Sequence, residues 1–551
     1  MSTVLDDATG KIGFKRELEP YKDYFDKVIR EVQVLQSDQK QAYIKKIYGS
    51  FLAGYDKKKQ ESEGIVYTPV EVVDFIIHST ESLARRHFDT GFNCQNVKVL
   101  DPFTGTGTFV ARLLESGLIK PSKIMAKYQN DIWANEITLL AYYVAAVNIE
   151  MVFRQTVGLD SLLPFEHANF TDTLNHHPRY RVDTEARKVQ KKLSGGFERV
   201  NRQIQDLKWA HVHVIMGNPP YSVGQKSFDD DNANVKYPDI DDRIKATYLK
   251  DGAKGNVNSI YDSYIRSIRW MSDRISERGI IGIVTNGSFM RSDAASGMRA
   301  SLMEEFDEIW CLDLRGNQRT KGEESKKEGG KIFGSGSRAP VAITFLVKNP
   351  RKDKKHANIY YKDIGDYLDT SQKITKLINW KSIQGIEDWQ TIIPDKHNDW
   401  LNQRNNKFYE YTAIGNKDAK KGKTDQAIFK DYSLGNKTAR DIWIYNSSKF
   451  ILEKNMKIHI KYYNEMNPKS IKLDPKKGRW GHEMTEKLRK NGKQKFDNKK
   501  IRGIIYRPFF KQFVYYDPIF TSAMYKIPQL FPKSNTKNLV ISIPSKFTGN
   551  F

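Results

Sequence analysis

Hydrophobic positions along the chain follow two patterns, one typical of helices and one of buried strands. Near the start, apolar side chains from Phe14 to Leu35 recur every three or four positions, which predicts a helical arm over residues 1–62. Beyond it, short apolar runs rich in β-branched residues predict strands at 97–101, 132–136, 169–172, 212–217, 280–285, 308–313 and 341–347. Helical periodicity fills the intervals at 137–150, 261–275 and 294–306.

Strands that alternate with helices are typical of a doubly wound α/β fold. The pattern therefore predicts a seven-stranded Rossmann-like sheet over residues 63–350, with a polar helical excursion at 176–210 and loops at 222–258 and 316–340. After residue 350 aromatic residues and lysines interleave, which predicts a separate mixed α+β domain at 351–551. An apolar strand at 539–543 lies close to the end of the chain, so we expect this domain to be incomplete.

The first strand runs into a glycine turn that opens a helix, Asp101-Pro102-Phe103-Thr104-Gly105-Thr106-Gly107. Its two glycines fit neither the dinucleotide fingerprint nor a phosphate loop, which needs GxxxxGK[ST]. The Asp101 carboxylate at the strand end would repel a pyrophosphate and attract an amine or a cation. A methionine-derived cofactor with an α-amine and a sulfonium is therefore the better ligand.

Two further acidic residues close predicted strands. Glu136 ends the second strand, where a doubly wound sheet places an acidic residue on ribose hydroxyls. Asp131 is a rival for this role, and Glu136 is preferred because it closes the apolar run. Asp172 ends the third strand, where it could accept a hydrogen bond from the adenine amine of the cofactor. Capping of a helix or turn is an alternative role for Asp172.

The fourth strand ends in a rigid polar turn, Asn218-Pro219-Pro220-Tyr221. The two prolines fix φ and remove two N–H donors, so neither a sheet nor a helix continues normally here. An amide, carbonyl oxygens and a phenol ring remain to hold a planar ring that bears an amine. An ordinary surface turn is the alternative, because Asn-Pro and Pro-Pro commonly mark turns.

The amino-acid composition indicates what kind of molecule the chain binds and in which compartment it occurs. Lys and Arg number 90 against 66 Asp and Glu, a formal net charge of +24, which favours an acidic polymer such as nucleic acid. The basic region after residue 350 adds aromatic faces for base stacking, although most aromatic clusters are core. Two cysteines far apart exclude a disulfide framework or a multi-cysteine zinc site and fit a reducing cytoplasm. We find no signal-peptide pattern and no apolar run long enough to span a membrane.

The chain resembles the gamma-type amino-methyltransferases, which methylate adenine N6 in DNA, in the order of its motifs: Tyr67-Thr68-Pro69, Asp101–Gly107, Glu136, Asp172 and Asn218–Tyr221. The likeness covers about residues 64–350. The segments 261–266 and 328–334 also resemble the single-polypeptide Type I restriction–modification enzymes, which join a nuclease and helicase to a methyltransferase and a target-recognition domain.

This resemblance implies a class I methyltransferase sheet that binds S-adenosylmethionine and needs no metal. Tyr67, Thr68 and Pro69 would line its methionine end, and the backbone from Pro102 to Gly107 would wrap it. The Asn218 and Pro219 oxygens would accept hydrogen bonds from N6 of a flipped-out adenine, with Pro220 stiffening the turn and Tyr221 stacking on the base. Phe333 is the candidate for a second aromatic that contacts the base.

The implied activity is site-specific adenine methylation of double-stranded DNA in a prokaryotic cytoplasm, with no membrane partner and with a helicase–nuclease portion outside this chain. Two alternatives remain open. Methyltransferases that modify RNA or protein glutamine share Asn-Pro-Pro-Tyr, although they tend to be shorter. A catalytically silent DNA-specificity module belongs to another class, and intact Asn218 and Tyr221 argue against it.

Overall fold

The computed structural model divides the chain into two compact units. Unit 1 comprises residues 1–224 and 235–404, and unit 2 comprises residues 225–234 and 405–551. The predicted helical arm, Tyr67, Tyr221 and most of the excursion at 176–210 lie outside the residues that the structure describes. The described residues are 68–175, 207, 210–220, 237–250, 257–333, 338–349, 356–405, 407, 410–429, 431–467, 477–480, 482–506, 510–533 and 535–541.

Unit 1 is organised around one sheet with nine strands in its described part: β1 Lys98–Asp101, β2 Ile132–Glu136, β3 Ala168–Phe170, β4 Val212–Gly217, β5 Gly279–Asn286, β6 Glu308–Arg315, β7 Val341–Lys348, β8 Asn358–Asp363 and β9 Gln390–Ile392. Their order is β3-β2-β1-β4-β5-β7-β6-β8-β9. All are parallel except β7 and β9, so the carboxyl ends of β1 to β6 meet at one edge. The order reverses between β1 and β4, the topological switch point where doubly wound sheets bind ligands.

Each predicted strand corresponds to one of β1 to β7, but the predicted count of seven is wrong. Strand β8 extends the sheet by pairing in parallel with β6, from Glu308 opposite Asn358 to Asp313 opposite Asp363. Strand β9 pairs with β8 in turn. The compact unit that contains this sheet runs to Arg404, beyond the predicted boundary at residue 350, and that domain boundary stays a prediction.

Helices cover the sheet of unit 1: α1 Val70–Phe88, α2 Thr108–Glu115, α3 Pro121–Asn130, α4 Leu139–Val157, α5 Pro238–Thr247, α6 Ser263–Arg274, α7 Ser296–Glu305, α8 Gly322–Glu328 and α9 Thr370–Trp380. Helix α5 lies in a stretch that we predicted to be a loop. Its buried face has two apolar residues four positions apart, Ile240 and Ile244, which is too short a repeat to recognise. Within the described ranges, no helix combines the length and apolarity that a membrane span requires.

Unit 2 contains a second, smaller core. An antiparallel sheet in the order β10-β12-β11 is formed by β10 Tyr445–Asn446, β11 Ile501–Ile505 and β12 Lys511–Tyr515. The helices are α10 Lys417–Lys420, α11 Asp441–Ile444, α12 Lys449–Glu465, α13 His482–Asn491 and α14 Ile527–Leu530. The strand predicted at 539–543 is not seen at 539–541, where Leu539 is 93% exposed and unpaired with any sheet.

Candidate active site

Three predicted polar residues lie at the carboxyl edge of the sheet, around the switch point. Asp101 ends β1, Glu136 ends β2, and Asn218 directly follows β4. Strands β1 and β4 are neighbours, and they approach so closely that a Cβ on Gly217 would lie 2.9 Å from Asp101 Oδ1. The sheet therefore brings the glycine turn and the Asn-Pro-Pro segment together.

The Asp101 carboxyl group is buried, with 2% of the residue exposed. Oδ1 accepts the Phe103 N–H at 3.2 Å, whereas the buried Oδ2 has no hydrogen-bond partner among the described residues. Burial raises the pKa of Asp101 to about 8, opposed by the Phe103 hydrogen bond and supported by the Glu136 charge. An unpartnered carboxyl oxygen in this position is compatible with an amine or cationic ligand, and the contact of Asp101 with a cofactor stays a prediction.

The glycine turn is closed by Glu136. The Gly105 N–H donates to Oε2 at 2.8 Å, and the Thr138 N–H donates to Oε1 at 2.7 Å. Gly105 and Gly107 have φ values of 57° and 82°, and a Cβ on Gly107 would lie 3.1 Å from the Ala145 carbonyl oxygen. Only glycine combines this conformation with such close packing. Helix α2 begins immediately after the turn.

The rival acidic residue, Asp131, lies elsewhere. It precedes β2 at the opposite edge of the sheet and forms a buried ion pair with Lys127 at 3.0 Å. Ile137, next to Glu136, is 55% exposed although it is large and apolar. It lies between the acidic residue and helix α4, and the sequence analysis did not single it out.

Asp172 caps a turn, the alternative role considered for it. It lies two residues after β3, and its carboxylate accepts the Leu174 N–H at 3.1 Å and the Asn175 side chain at 2.8 Å. The Tyr237 hydroxyl also donates to it at 3.2 Å, a contact that the sequence did not reveal. Burial raises the pKa of Asp172, and these hydrogen bonds oppose the rise. Its predicted contact with the cofactor adenine stays a prediction.

Buried amides join the ends of β1, β2 and β3. Asn135 accepts from Asn169 at 3.0 Å and donates to the Thr173 hydroxyl at 3.2 Å. That hydroxyl donates to the Pro102 carbonyl oxygen at 2.7 Å. These bonds tie the glycine turn to β2 and β3 before any ligand binds, although the buried Asn169 Oδ1 has no hydrogen-bond partner among the described residues.

Asn218 is held by Thr68. Its side-chain nitrogen donates to the Thr68 hydroxyl at 2.9 Å, which leaves its carbonyl oxygen as the group that the side chain can offer to an amine. The Thr68-Pro69 sequence before an apolar helix predicts Thr68 as the N-cap and Pro69 as the first helical residue, and this prediction is wrong. Pro69 occupies the N-cap position of α1, and its carbonyl oxygen accepts the first helical N–H groups, so the Thr68 hydroxyl is available for Asn218.

Comparison with known proteins agrees with this geometry. Residues 39–312 match the N-6 DNA Methylase family, and residues 427–550 match the Type ISP C-terminal specificity domain. The chain carries an N-6 DNA methylase domain and a Type ISP specificity domain. No curated protein sequence matches the chain.

Solved structures extend the likeness across both domains. The chain is 36% identical to a nuclease-deletion mutant of the Type ISP restriction–modification enzyme LlaGI in complex with a DNA substrate mimic, with a TM-score of 0.79 over 91% of this chain and 40% of that one. It is 35% identical to the ATP-dependent Type ISP enzyme LlaBIII bound to DNA, with a TM-score of 0.81 over 96% of this chain and 34% of that one. The chain is 29% identical to DrdV in a DrdV–DNA complex, with a TM-score of 0.81 over 94% of this chain and 50% of that one. The chain thus spans half or less of the length of each.

Phe333 is buried in unit 1. The residue is 3% exposed and belongs to the core of unit 1, so its ring does not present an open face to a base in this structure. Its loop nevertheless leaves the carboxyl end of β6, at the same edge as Asn218. The predicted contact with a flipped base stays a prediction.

The described part of the methylase domain contains no group of three or more His, Cys, Asp or Glu residues arranged to hold a metal ion. Pro219 is buried and Pro220 is half-buried, and both directly follow Asn218 at the strand end. The described site therefore consists of a carboxyl-lined glycine turn beside a fixed amide.

Proposed function

We propose that this chain transfers a methyl group from S-adenosylmethionine to N6 of an adenine in double-stranded DNA, at a specific sequence and within a restriction–modification system. One observation carries the proposal. The Asn218 amide, oriented by Thr68, lies at the switch point beside a buried carboxyl group that suits an amine-bearing cofactor. The match to the N-6 DNA Methylase family supports it.

The cofactor side of the site is formed by strand ends β1 to β3. Asp101 Oδ2 would accept the α-amine of S-adenosylmethionine, and the turn from Pro102 to Gly107 would surround its methionine part. Glu136 would bind ribose hydroxyls, Ile137 would pack on the adenine ring, and Asp172 would accept the adenine amine. Bound there, the cofactor supplies an electrophilic methyl group.

The base side of the site is formed by the turn after β4. The Asn218 side-chain oxygen and the Pro219 carbonyl oxygen would accept the two N6 protons of a flipped-out adenine. These hydrogen bonds turn the nitrogen lone pair out of conjugation and aim it at the methyl group. Because the acceptors are fixed in advance, they stabilise the positive charge that develops on N6 without reorganisation. Tyr221 would stack on the base.

The specificity domain and the net charge of +24 support DNA as the substrate. Of the two Type ISP relatives named above, LlaGI is a nuclease-deletion mutant in complex with a DNA substrate mimic, and LlaBIII is ATP-dependent and bound to DNA. We therefore propose that a helicase–nuclease portion, outside this chain, acts together with it.

Transfer of tritium from labelled S-adenosylmethionine tests the proposal, with DNA, RNA and protein offered side by side. We expect label in DNA, at adenine N6. Asn218→Ala should reduce transfer by two orders of magnitude or more while keeping cofactor affinity, because it removes an acceptor used at the reacting atom. Thr68→Val, a nearly isosteric change, should also reduce methyl transfer, but by less than Asn218→Ala, because it removes only the hydroxyl that orients the Asn218 amide.

Label in RNA or protein alone would refute DNA as the substrate and favour the related amino-methyltransferases. DNA binding with no label in any polymer would favour a catalytically silent specificity module. Wild-type transfer by Asn218→Ala would refute the assigned site even if DNA is methylated.

A further inference from the structure

A buried lysine outside the predicted methyltransferase region clamps a loop at the active-site edge. Lys373, on α9, has no exposed surface. Its ammonium group donates to three backbone carbonyl oxygens, of Leu314 at 2.9 Å, Glu328 at 2.9 Å and Gly330 at 2.7 Å. All three N–H donors of the ammonium are thereby used.

Burying this charge is costly, so it calls for an explanation. An unpaired ammonium in an apolar interior costs several kcal/mol, and three carbonyl partners offset that cost only when the geometry is kept. An apolar side chain of similar length would leave the three carbonyl oxygens without this donor. The ammonium group therefore fixes the conformation of the segment after α8 through hydrogen bonds and not through packing alone.

The clamped segment connects β6 to β7. Since β6 is parallel to β4 and β5, the segment leaves the sheet at the edge that carries Asn218 and Asp101. The segment returns to β7 beside the end of β5, where the Gly287 N–H donates to the Pro340 carbonyl oxygen. It carries Phe333, the candidate for a second aromatic at the target base.

Further bonds tie the same segment to the region around Lys373. The Gly330 N–H donates to the Leu368 carbonyl oxygen at 2.9 Å, and the Thr370 hydroxyl donates to the Lys331 carbonyl oxygen at 2.6 Å. A Cβ on Gly330 would lie 2.5 Å from the Thr370 amide nitrogen, so the two backbones are in direct contact. Helix α9 is itself fixed by a capping box between Asp369 and Gln372 and by packing on α1.

We propose that Lys373 is a positioning residue of the methyltransferase: it holds residues 328–333 at the carboxyl edge of the sheet, beside the place where the target adenine is proposed to bind. This inference rests on the proposed function. It assigns the strands and helix beyond β7 a role on the base side of the site, whereas the cofactor side is formed by β1 to β3.

The test compares two lysines on one helix, each changed to methionine in the full chain. Lys373→Met removes the clamp. Lys376→Met is the matched control, because Lys376 donates to the Ile364 carbonyl oxygen at 2.9 Å and has no hydrogen bond to residues 328–333. The substrate is DNA that the wild-type protein labels with tritium, and S-adenosylmethionine affinity is measured by calorimetry.

For Lys373→Met we expect kcat/KM for DNA to fall tenfold or more, with cofactor affinity within twofold of wild type. Lys376→Met should keep both. Thr370→Val, which removes a tether at the surface, should raise KM for DNA severalfold without loss of folding. If Lys373→Met does not fold, KM for DNA of the Thr370→Val variant tests the proposal instead.

The pH profile separates positioning from a general structural role. Burial lowers the pKa of Lys373 to about 8, with Glu328, Asp313 and Asp363 opposing the shift and Arg315 adding to it. Deprotonation removes one of three donors, so wild-type KM for DNA should rise as the pH passes 8. This rise should be absent in Lys373→Met.

Failure of this inference is distinguishable from failure of the proposed function. If wild-type protein labels no DNA, the proposed function fails, and the inference fails with it. If wild-type protein labels DNA and folded Lys373→Met does so with unchanged kcat and KM, the inference alone is refuted. Unchanged KM in Thr370→Val, when Lys373→Met does not fold, also refutes it.

Discussion

Asp101 is held in surroundings that favour its neutral form. Burial is the main cause of its pKa of about 8, and the nearby Glu136 charge acts in the same direction. A cationic group placed against the unpartnered Oδ2 would reverse this by stabilising the carboxylate. Cofactor binding and ionisation of Asp101 should therefore be linked.

We expect S-adenosylmethionine binding to release a proton from Asp101 and to strengthen as the pH rises from 6 to 7.5, by up to about tenfold per pH unit. The α-amino group of the cofactor, with an ordinary pKa of about 7.7–8.0, stays mostly protonated across this window. Calorimetry in buffers of different ionisation enthalpy measures the released proton. Asp101→Asn should bind more weakly and lose the pH dependence. Equal affinity across the window in the wild type would contradict this role of Asp101.

The position of a single site residue was predictable from the sequence where that residue ends a strand. Asp101 and Glu136 close apolar runs, so their meeting at one edge follows from a parallel sheet. The partners of Asn218 and Asp172 were not predictable. Thr68 lies 150 positions from Asn218 and Tyr237 lies 65 from Asp172. The Thr68 contact depends on where α1 begins, and the Tyr237 contact depends on where α5 begins.

At the scale of elements, the sheet of unit 1 continues beyond the predicted seven strands. Apolar runs identified β1 to β7, because strands buried on both faces are almost continuously hydrophobic. Strand β8 is more polar, with lysine and tyrosine beside its buried Ile359. It therefore has the same mixture of aromatic residues and lysines as the sequence of unit 2. Its place is set by a long-range contact, the stacking of Tyr360 on Trp310 with ring centroids 4.0 Å apart.

A chain ended after Arg404 should fold and bind S-adenosylmethionine, whereas one ended after residue 350 should not. The shorter chain lacks β8, β9 and α9. It therefore loses buried Ile359, Ile364 and Leu377, each worth about 1.5–3 kcal/mol of burial, and it exposes the edge of β6. Thermal unfolding by circular dichroism and cofactor calorimetry compare the two. A shorter chain that melts and binds like the longer one would place the domain boundary at residue 350 after all.

At the scale of the whole molecule, the described residues form two hydrophobic cores, one in each unit. The core of unit 2 includes a fully buried histidine, His459, between the rings of Trp443 and Phe520 with centroids 5.7 and 5.6 Å away. Burial, and then the charge of Arg440, lowers the pKa of His459 to about 4, while a backbone hydrogen bond with Lys477 opposes the shift. A charged imidazolium is therefore not accommodated in this core.

We expect this histidine to make unit 2 sensitive to acid. The unfolded chain takes up a proton near pH 6.5 and the folded chain near pH 4, so the contribution of His459 is complete above pH 6.5 and decreases as the pH falls between these values. The full loss is roughly 3 kcal/mol, a large part of the stability of a small domain. Calorimetric scans of the full chain at pH 7, 6 and 5 should show one transition moving to lower temperature. His459→Leu should reduce that movement, whereas His356→Gln, at an exposed position of unit 1, should leave it unchanged. If wild type and His459→Leu shift equally, acid acts through other groups.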